Sequence, residues 1–236
     1  ADPVWAFSAA TFLGMLIAIP WGGRALTRGL NASKGDGGAL FQRLRQTAWP
    51  MILGAAAFEL MSWSDTLMCG VFLEEDAVGR YRLAFRLAAL LTLGQTALNS
   101  ALAPKMARAS ATEIRGLIQW SYRWNVLIAL AGGAVLLLAG PMLISIFGHE
   151  FASDEAVLVL RVLALGTAFN ALSGPVLTLM NMTGSERQAR DIIVGAAAIN
   201  IGLNAWLIPS HGIAGAAWAT SITTVLWNAW AAVWVA

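Results

Sequence analysis

Seven apolar stretches of membrane-spanning length divide this chain, at about 4–20, 48–64, 80–103, 121–147, 156–183, 190–208 and 212–235. Roughly 20 consecutive apolar residues let a helix cross a bilayer, so little chain is left for anything but short connections. In lipid the backbone must satisfy its own polar groups, which limits a crossing segment to a helix or to a strand of a closed barrel. The short alternating segments that a barrel needs are missing. The sequence therefore predicts an all-α polytopic membrane bundle of about seven transmembrane helices. Composition agrees, since 12% of the 236 residues are charged against roughly 25% in soluble domains. Trp21, Trp49, Trp63, Trp120 and Trp206 fall at span ends, where an amphipathic indole prefers the headgroup level.

The loop charges orient the bundle. Connections after the first, third and fifth spans hold ten bases: Arg24, Arg28, Lys34, Arg43, Arg45, Lys105, Arg108, Arg115, Arg187 and Arg190. Connections after the second, fourth and sixth hold no Lys or Arg but seven acids: Asp65, Glu74, Glu75, Asp76, Glu150, Asp154 and Glu155. Basic loops stay cytoplasmic, which places Ala1 outside and Ala236 inside. The chain opens without an initiator Met or a basic leader, so a preceding segment is expected. The connection at 21–47 contains a Gly- and Ser-rich stretch, Asn31 to Gly38, then Leu40, Phe41 and Leu44 set against Gln42, Arg43, Arg45 and Gln46. It reads as a cytoplasmic linker with an interfacial amphipathic elbow. Residues 1–20 are then the last helix of an N-terminal lobe, and 48–236 a C-terminal six-helix lobe.

Charge inside an apolar span is costly and functional by default. Glu59 lies about eleven residues into the second span, where it requires protonation, hydration or a partner. Arg82 and Arg86 are four apart on one helical face, and Arg161 lies at a similar depth in the fifth span. An arginine fork binds phosphate in bidentate fashion at any ordinary pH, so three arginines facing one cavity would hold a pyrophosphate. The plainer alternative pairs Arg86 with Glu59 or Asp65 and lets Arg82 and Arg161 reach outer headgroups. Asn170, Asn200 and Asn204 are polar cavity or packing candidates, the last two sharing a face at i, i+4. Gly174 beside Pro175 makes the fifth span a candidate broken helix and hinge.

A net charge of +2 gives no case for nucleic acid as a partner. One cysteine and two histidines are poor material for a metal site, and no catalytic constellation, phosphate loop or nucleophile elbow is present. The sequence implies no cofactor and no enzyme.

Two segments carry a resemblance. From Phe41 to Ala109 the marks are Pro50 at a helix start, Asp65, an acidic turn with Val78-Gly79 and then Tyr81, Arg86, and Pro104 at the cytoplasmic end. From Asn181 to Trp230 they are Thr183-Gly184 before a basic turn, Asn200, Asn204, Ile208-Pro209 and the Gly212-Ile213-Ala214-Gly215-Ala216-Ala217 run. In this order they resemble the C-terminal half of the polysaccharide-export flippases, in the superfamily that also holds the multidrug and toxin extrusion exporters and the lipid II flippase. The resemblance implies two six-helix lobes around a cavity that opens alternately to each side, with the N-terminal lobe as a partner missing here. It implies transport of an undecaprenyl-diphosphate-linked oligosaccharide across a bacterial inner membrane for cell-surface polysaccharide or lipopolysaccharide synthesis, with proton or sodium coupling through Glu59 or Asp65. A multidrug or cation extruder, a lipid II flippase, a membrane enzyme of polysaccharide synthesis and a noncatalytic assembly subunit are the competing readings.

Overall fold

The computed structural model describes residues 37–106 and 108–235. The expected span at 4–20, the linker at 21–36 and the elbow side chains Leu40, Phe41 and Leu44 lie outside the described parts. The chain divides into two compact units, Ala1–Trp49 and Pro50–Ala236. Among the described residues six α-helices follow one another: α1 (Gly37–Phe72), α2 (Glu75–Met106), α3 (Ala111–Ser145), α4 (Asp154–Ser173), α5 (Val176–Met182) and α6 (Glu186–Val235). A short 3-10 turn, His149–Phe151, precedes α4. The protein is an all-helical membrane bundle, and the described residues contain no strand.

Side-chain contacts give the topology. Asp65 meets Tyr81 and Thr66 meets Arg82, so α1 and α2 run antiparallel about a turn at Leu73-Glu74. Gly94 lies against Ile128, and Gly140 against Leu160, which sets α2 against α3 and α3 against α4 in the same up-and-down manner. Helix α6 folds back at Gly212, whose φ of 57° and ψ of −143° are not helical. Gly195 lies against Trp230, and Gly215 against the Leu207 backbone. The two arms, 186–211 and 213–235, are thus an antiparallel pair, a division that the apolar runs at 190–208 and 212–235 foreshadow.

Proline and glycine set the breaks. Pro175 has no amide to donate, so the fifth expected span splits into α4 and α5. Gly174 between them takes φ 76°, a region that favours glycine. At the other ends, Ser110 caps α3 in a reciprocal box with Glu113, and the Ser153 hydroxyl accepts the Ala156 amide at the start of α4.

Small residues bring the helices close. Ala84, Ala164, Ala216, Ala217 and Ala219 are essentially fully buried, which permits near backbone contact. Large apolar side chains point outward instead: Leu138 is 83% exposed, Val233 78% and Trp206 72%. That arrangement suits a hydrocarbon solvent. Among the described residues three helices are long and apolar enough to cross a membrane: α3 from Glu113, α4, and α6, whose two arms on either side of Gly212 are each long enough to span. Helices α1 and α2, with 36 and 32 residues, have ample length, but charged side chains along them, Glu59, Asp65, Arg82 and Arg86 among others, lower their hydropathy.

Candidate functional site

Asp65 corrects one expectation outright. The spans place it in an outer connection, whereas it sits inside α1, 1% exposed, two turns before the helix ends at Phe72. Both carboxylate oxygens accept hydrogen bonds. Asn204 Nδ2 donates to Oδ1 at 2.5 Å, while Thr220 Oγ1 at 2.5 Å and the Tyr81 hydroxyl at 3.2 Å donate to Oδ2. Asn204 also donates to Asn200 Oδ1 at 3.0 Å, and the Ser64 hydroxyl donates to the same atom at 2.9 Å. Thus α1, α2 and both arms of α6 meet on one carboxylate. The buried atoms Asn200 Nδ2 and Asn204 Oδ1 have no partner, leaving one donor and one acceptor in reserve within the cluster. The shared face of Asn200 and Asn204 is turned onto α1.

Beside this cluster opens a cavity of about 530 Å³ lined from α1, α2, α4, α5 and the second arm of α6. Apolar side chains, among them Phe58, Trp63, Phe85, Leu177 and Trp227, supply most of its wall, and neutral polar groups are set among them. Thr92, Gln95, Thr96 and Asn99 come from α2, Thr167 and Asn170 from α4, and Thr220, Ser221 and Thr224 from α6. Asn170 Nδ2 donates to Gln95 Oε1 at 3.0 Å, Gln95 Nε2 donates to the Asn170 backbone carbonyl at 3.3 Å, and Asn228 Nδ2 donates to Asn170 Oδ1 at 3.0 Å. Two ionisable side chains join this lining, Glu59 and Arg82.

Arg82 is held at the cavity edge by stacking and one hydrogen bond. Its guanidinium lies 4.4 Å from the Trp63 ring centroid and 5.8 Å from that of Phe85, and Nη1 donates to Thr66 Oγ1 at 3.2 Å. Such stacking stabilises by about 0.5–2 kcal/mol. Trp63, half exposed, is therefore also a cavity residue. Among the described residues the one ion pair is Arg190–Asp191, at 2.7 Å. The expected pairing of Arg86 with Glu59 or Asp65 is not formed, and Arg82 keeps its charge free of any carboxylate.

The three arginines do not converge. Arg82 lines the cavity, whereas Arg86 and Arg161 are exposed and outside its lining. Glu59, Asn170, Gly174 and Pro175 line it, while Asp65, Asn200 and Asn204 form the adjoining cluster. Spacing alone misses Gln95, Thr220 and the place of Trp63 at the cavity. Gln95 carried a signal, an amide four residues before Asn99 deep in an apolar run.

A cavity walled by helices whose outer faces are apolar, with a buried carboxylate alongside, marks a multi-pass membrane protein. The chain belongs to the MatE family, whose model matches residues 50–206. It is 27% identical over 220 residues to the "Probable low-salt glycan biosynthesis flippase Agl15" of Haloferax volcanii, covering 89% of this chain and 44% of that one. It is 28% identical over 170 residues to the "Probable flippase AglR" of the same organism, covering 70% of this chain and 36% of that one. The chain thus spans less than half the length of the curated relatives it matches. In fold it is similar to a MOP superfamily transporter from Pyrococcus furiosus, described as having a binding pocket of reverse polarity. A multidrug resistance MATE family transporter in an outward-facing conformation is equally similar. Each has a TM-score of 0.66 and 22% identity, covering 81% of this chain and 44% of its own.

Proposed function

We propose that the protein is one lobe of a flippase that turns a lipid-linked oligosaccharide from the cytoplasmic to the outer leaflet, in its bacterial form the undecaprenyl-diphosphate-linked saccharide. The observation that carries this reading is Arg82, a permanent cation stacked on Trp63 at the edge of a cavity whose other polar groups, Glu59 apart, are hydroxyls and amides. Such a wall suits an anionic linkage joined to neutral sugars. A second lobe completes the cavity, as the shorter span relative to the curated relatives suggests. Asp65 is the coupling group, and the unpaired Asn204 Oδ1 beside it offers a second oxygen to an entering proton or cation. Gly174 and Pro175 supply a hinge. Arg86 and Arg161 contribute at most long-range charge.

Arg82→Lys keeps the charge and loses the fork, while Arg82→Gln loses both. At unchanged protein level, export of surface saccharide should fall in the order Arg, Lys, Gln, with Gln lower by about tenfold or more, as expected for losing a hydrogen bond to a charged group. Equal export by all three removes the substrate role.

The aromatics Phe58, Trp63, Phe85 and Trp227 and the acid Glu59 in the same wall favour a second reading, a cation extruder. Resistance to organic cations lost in Glu59→Gln and kept in Arg82→Gln would select it.

Orientation follows from loop charge. The ends near Lys105 and Arg108 and near Arg187 and Arg190 face the cytoplasm, and those at Glu74–Asp76 and at Glu150–Glu155 face outside. In a Cys69→Ala background, Ala152→Cys should react with an impermeant thiol reagent on intact cells and Ser185→Cys should not. The reverse pattern overturns the orientation.

A further inference from the structure

The break after Ser173 leaves a carbonyl that the helix itself no longer serves. In an unbroken helix the Ala171 carbonyl would accept from residue 175 and that of Asn170 from residue 174. Proline at 175 has no amide proton, and the Gly174 amide donates instead to Ala171 at 3.2 Å. The Asn170 carbonyl is thereby released, and Gln95 of α2 covers it, with Nε2 donating at 3.3 Å. Asn170 Nδ2 returns a bond to Gln95 Oε1 at 3.0 Å, and Asn228 of α6 donates to Asn170 Oδ1 at 3.0 Å. A neutral amide clasp thus ties α2, α4 and α6 together one turn before the break.

Beyond the break the chain forms one short helix, whose Val176, Leu177 and Met180 pack onto α6 while its two ends are lightly held. Helix α5 has seven residues, no side-chain cap at its start, and a glycine with positive φ at each end, Gly174 at 76° and Gly184 at 85°. An alanine side chain at Gly184 would meet nothing within 4 Å. Helix α5 also separates two spaces. A second cavity of about 300 Å³ lies toward the basic end, lined by Gly54, Asn181, Glu186 and Arg190 among others. Phe58, Glu59 and Leu177 line both cavities, so the wall between them is one turn of α1 and the first turn of α5.

We infer that α5 is the gate between the central cavity and the basic face of the membrane. It swings on Gly174 and Gly184, lifts Leu177 from Phe58 and joins the two cavities. The Gln95–Asn170–Asn228 clasp holds α4 still, so that the motion stays confined to α5. This rests on the transporter reading for its purpose, but its tests need no cargo.

Thr92, in the central cavity, is replaced by cysteine in a Cys69→Ala background, and its peptide is followed by mass spectrometry during labelling from the basic face. Bridging Phe58→Cys to Leu177→Cys with a short bifunctional reagent should slow labelling at Thr92→Cys by about tenfold or more, since the open state is then forbidden. An unchanged rate overturns the gate. The unsubstituted protein in bilayer nanodiscs provides a second test by amide hydrogen exchange. Residues 177–182 should exchange about tenfold faster than 160–168, and equal protection overturns the gate. Gln95→Leu should spread fast exchange back into 166–172 by roughly fivefold, the equivalent of one hydrogen bond; confinement to α5 in that variant overturns the clasp. Loss of the Arg82 export result would leave these outcomes standing, and their failure would leave export standing.

Discussion

Asp65→Leu is expected to lower the melting temperature of the purified protein by roughly 10 °C, the equivalent of about 3 kcal/mol or more in a chain of this size. The reasoning is one of stranded donors. Leucine fills a similar volume but accepts nothing, so Asn204, Thr220 and Tyr81 each lose the acceptor they now share. Each stranded buried donor costs about 1–3 kcal/mol. Thr220 recovers part, because its hydroxyl also lies 3.0 Å from the Ala216 carbonyl. Asp65→Asn should cost less, keeping one oxygen while turning an amide toward a donor. If Asp65 is the coupling group, that variant should accumulate normally and export nothing. A melting temperature for Asp65→Leu within a degree or two of the parent would show that the cluster contributes little to the fold.

Gly215→Ala is expected to be at least as damaging, and for a steric reason. A Cβ at 215 would run into the Leu207 carbonyl and would lie 3.0 Å from the Ile208 nitrogen. The obstacle is backbone, so no rotamer change relieves it, and the two arms of α6 must part. Overpacking of this kind costs about 1–3 kcal/mol when side chains can adjust, and more is expected here. Recovery of monodisperse protein in detergent should drop severely. Gly202→Ala is the control: the same helix and the same chemical change, with nothing within 4 Å of the new methyl. It should be neutral or stabilise by up to about 1 kcal/mol through helix propensity. Equal behaviour of the two variants would refute the close-packed hairpin.

Much of the architecture is legible from hydrophobic run lengths and from two punctuation marks. Gly174-Pro175 marks the break between α4 and α5, and the gap between the runs ending at 208 and starting at 212 marks the fold-back of α6. Asp65 is misplaced for a physical reason: hydropathy stops a span at a charge, whereas a helix continues past a carboxylate that faces inward onto donors. The arginines fail differently. Residues four apart in a helix differ by about 40° in direction, so at a cavity edge Arg82 turns inward and Arg86 does not. Sequence shows that they share a face but not where that face meets the cavity. Thr220 escapes notice because a threonine hydroxyl on an apolar helix bonds to its own backbone often enough to look unremarkable.

The fold-back of α6 also orders events at the ribosome. Asp65 leaves the translating ribosome 139 residues before Asn204 and 155 before Thr220. At ordinary elongation rates that is an interval of about 7–30 s. During it, Tyr81, only 16 residues later, is the one of its three donors already made. The first hairpin must therefore enter the bilayer with its acid incompletely served, and the last two passes, once inserted, close the lobe by docking onto a residue that has been waiting for them.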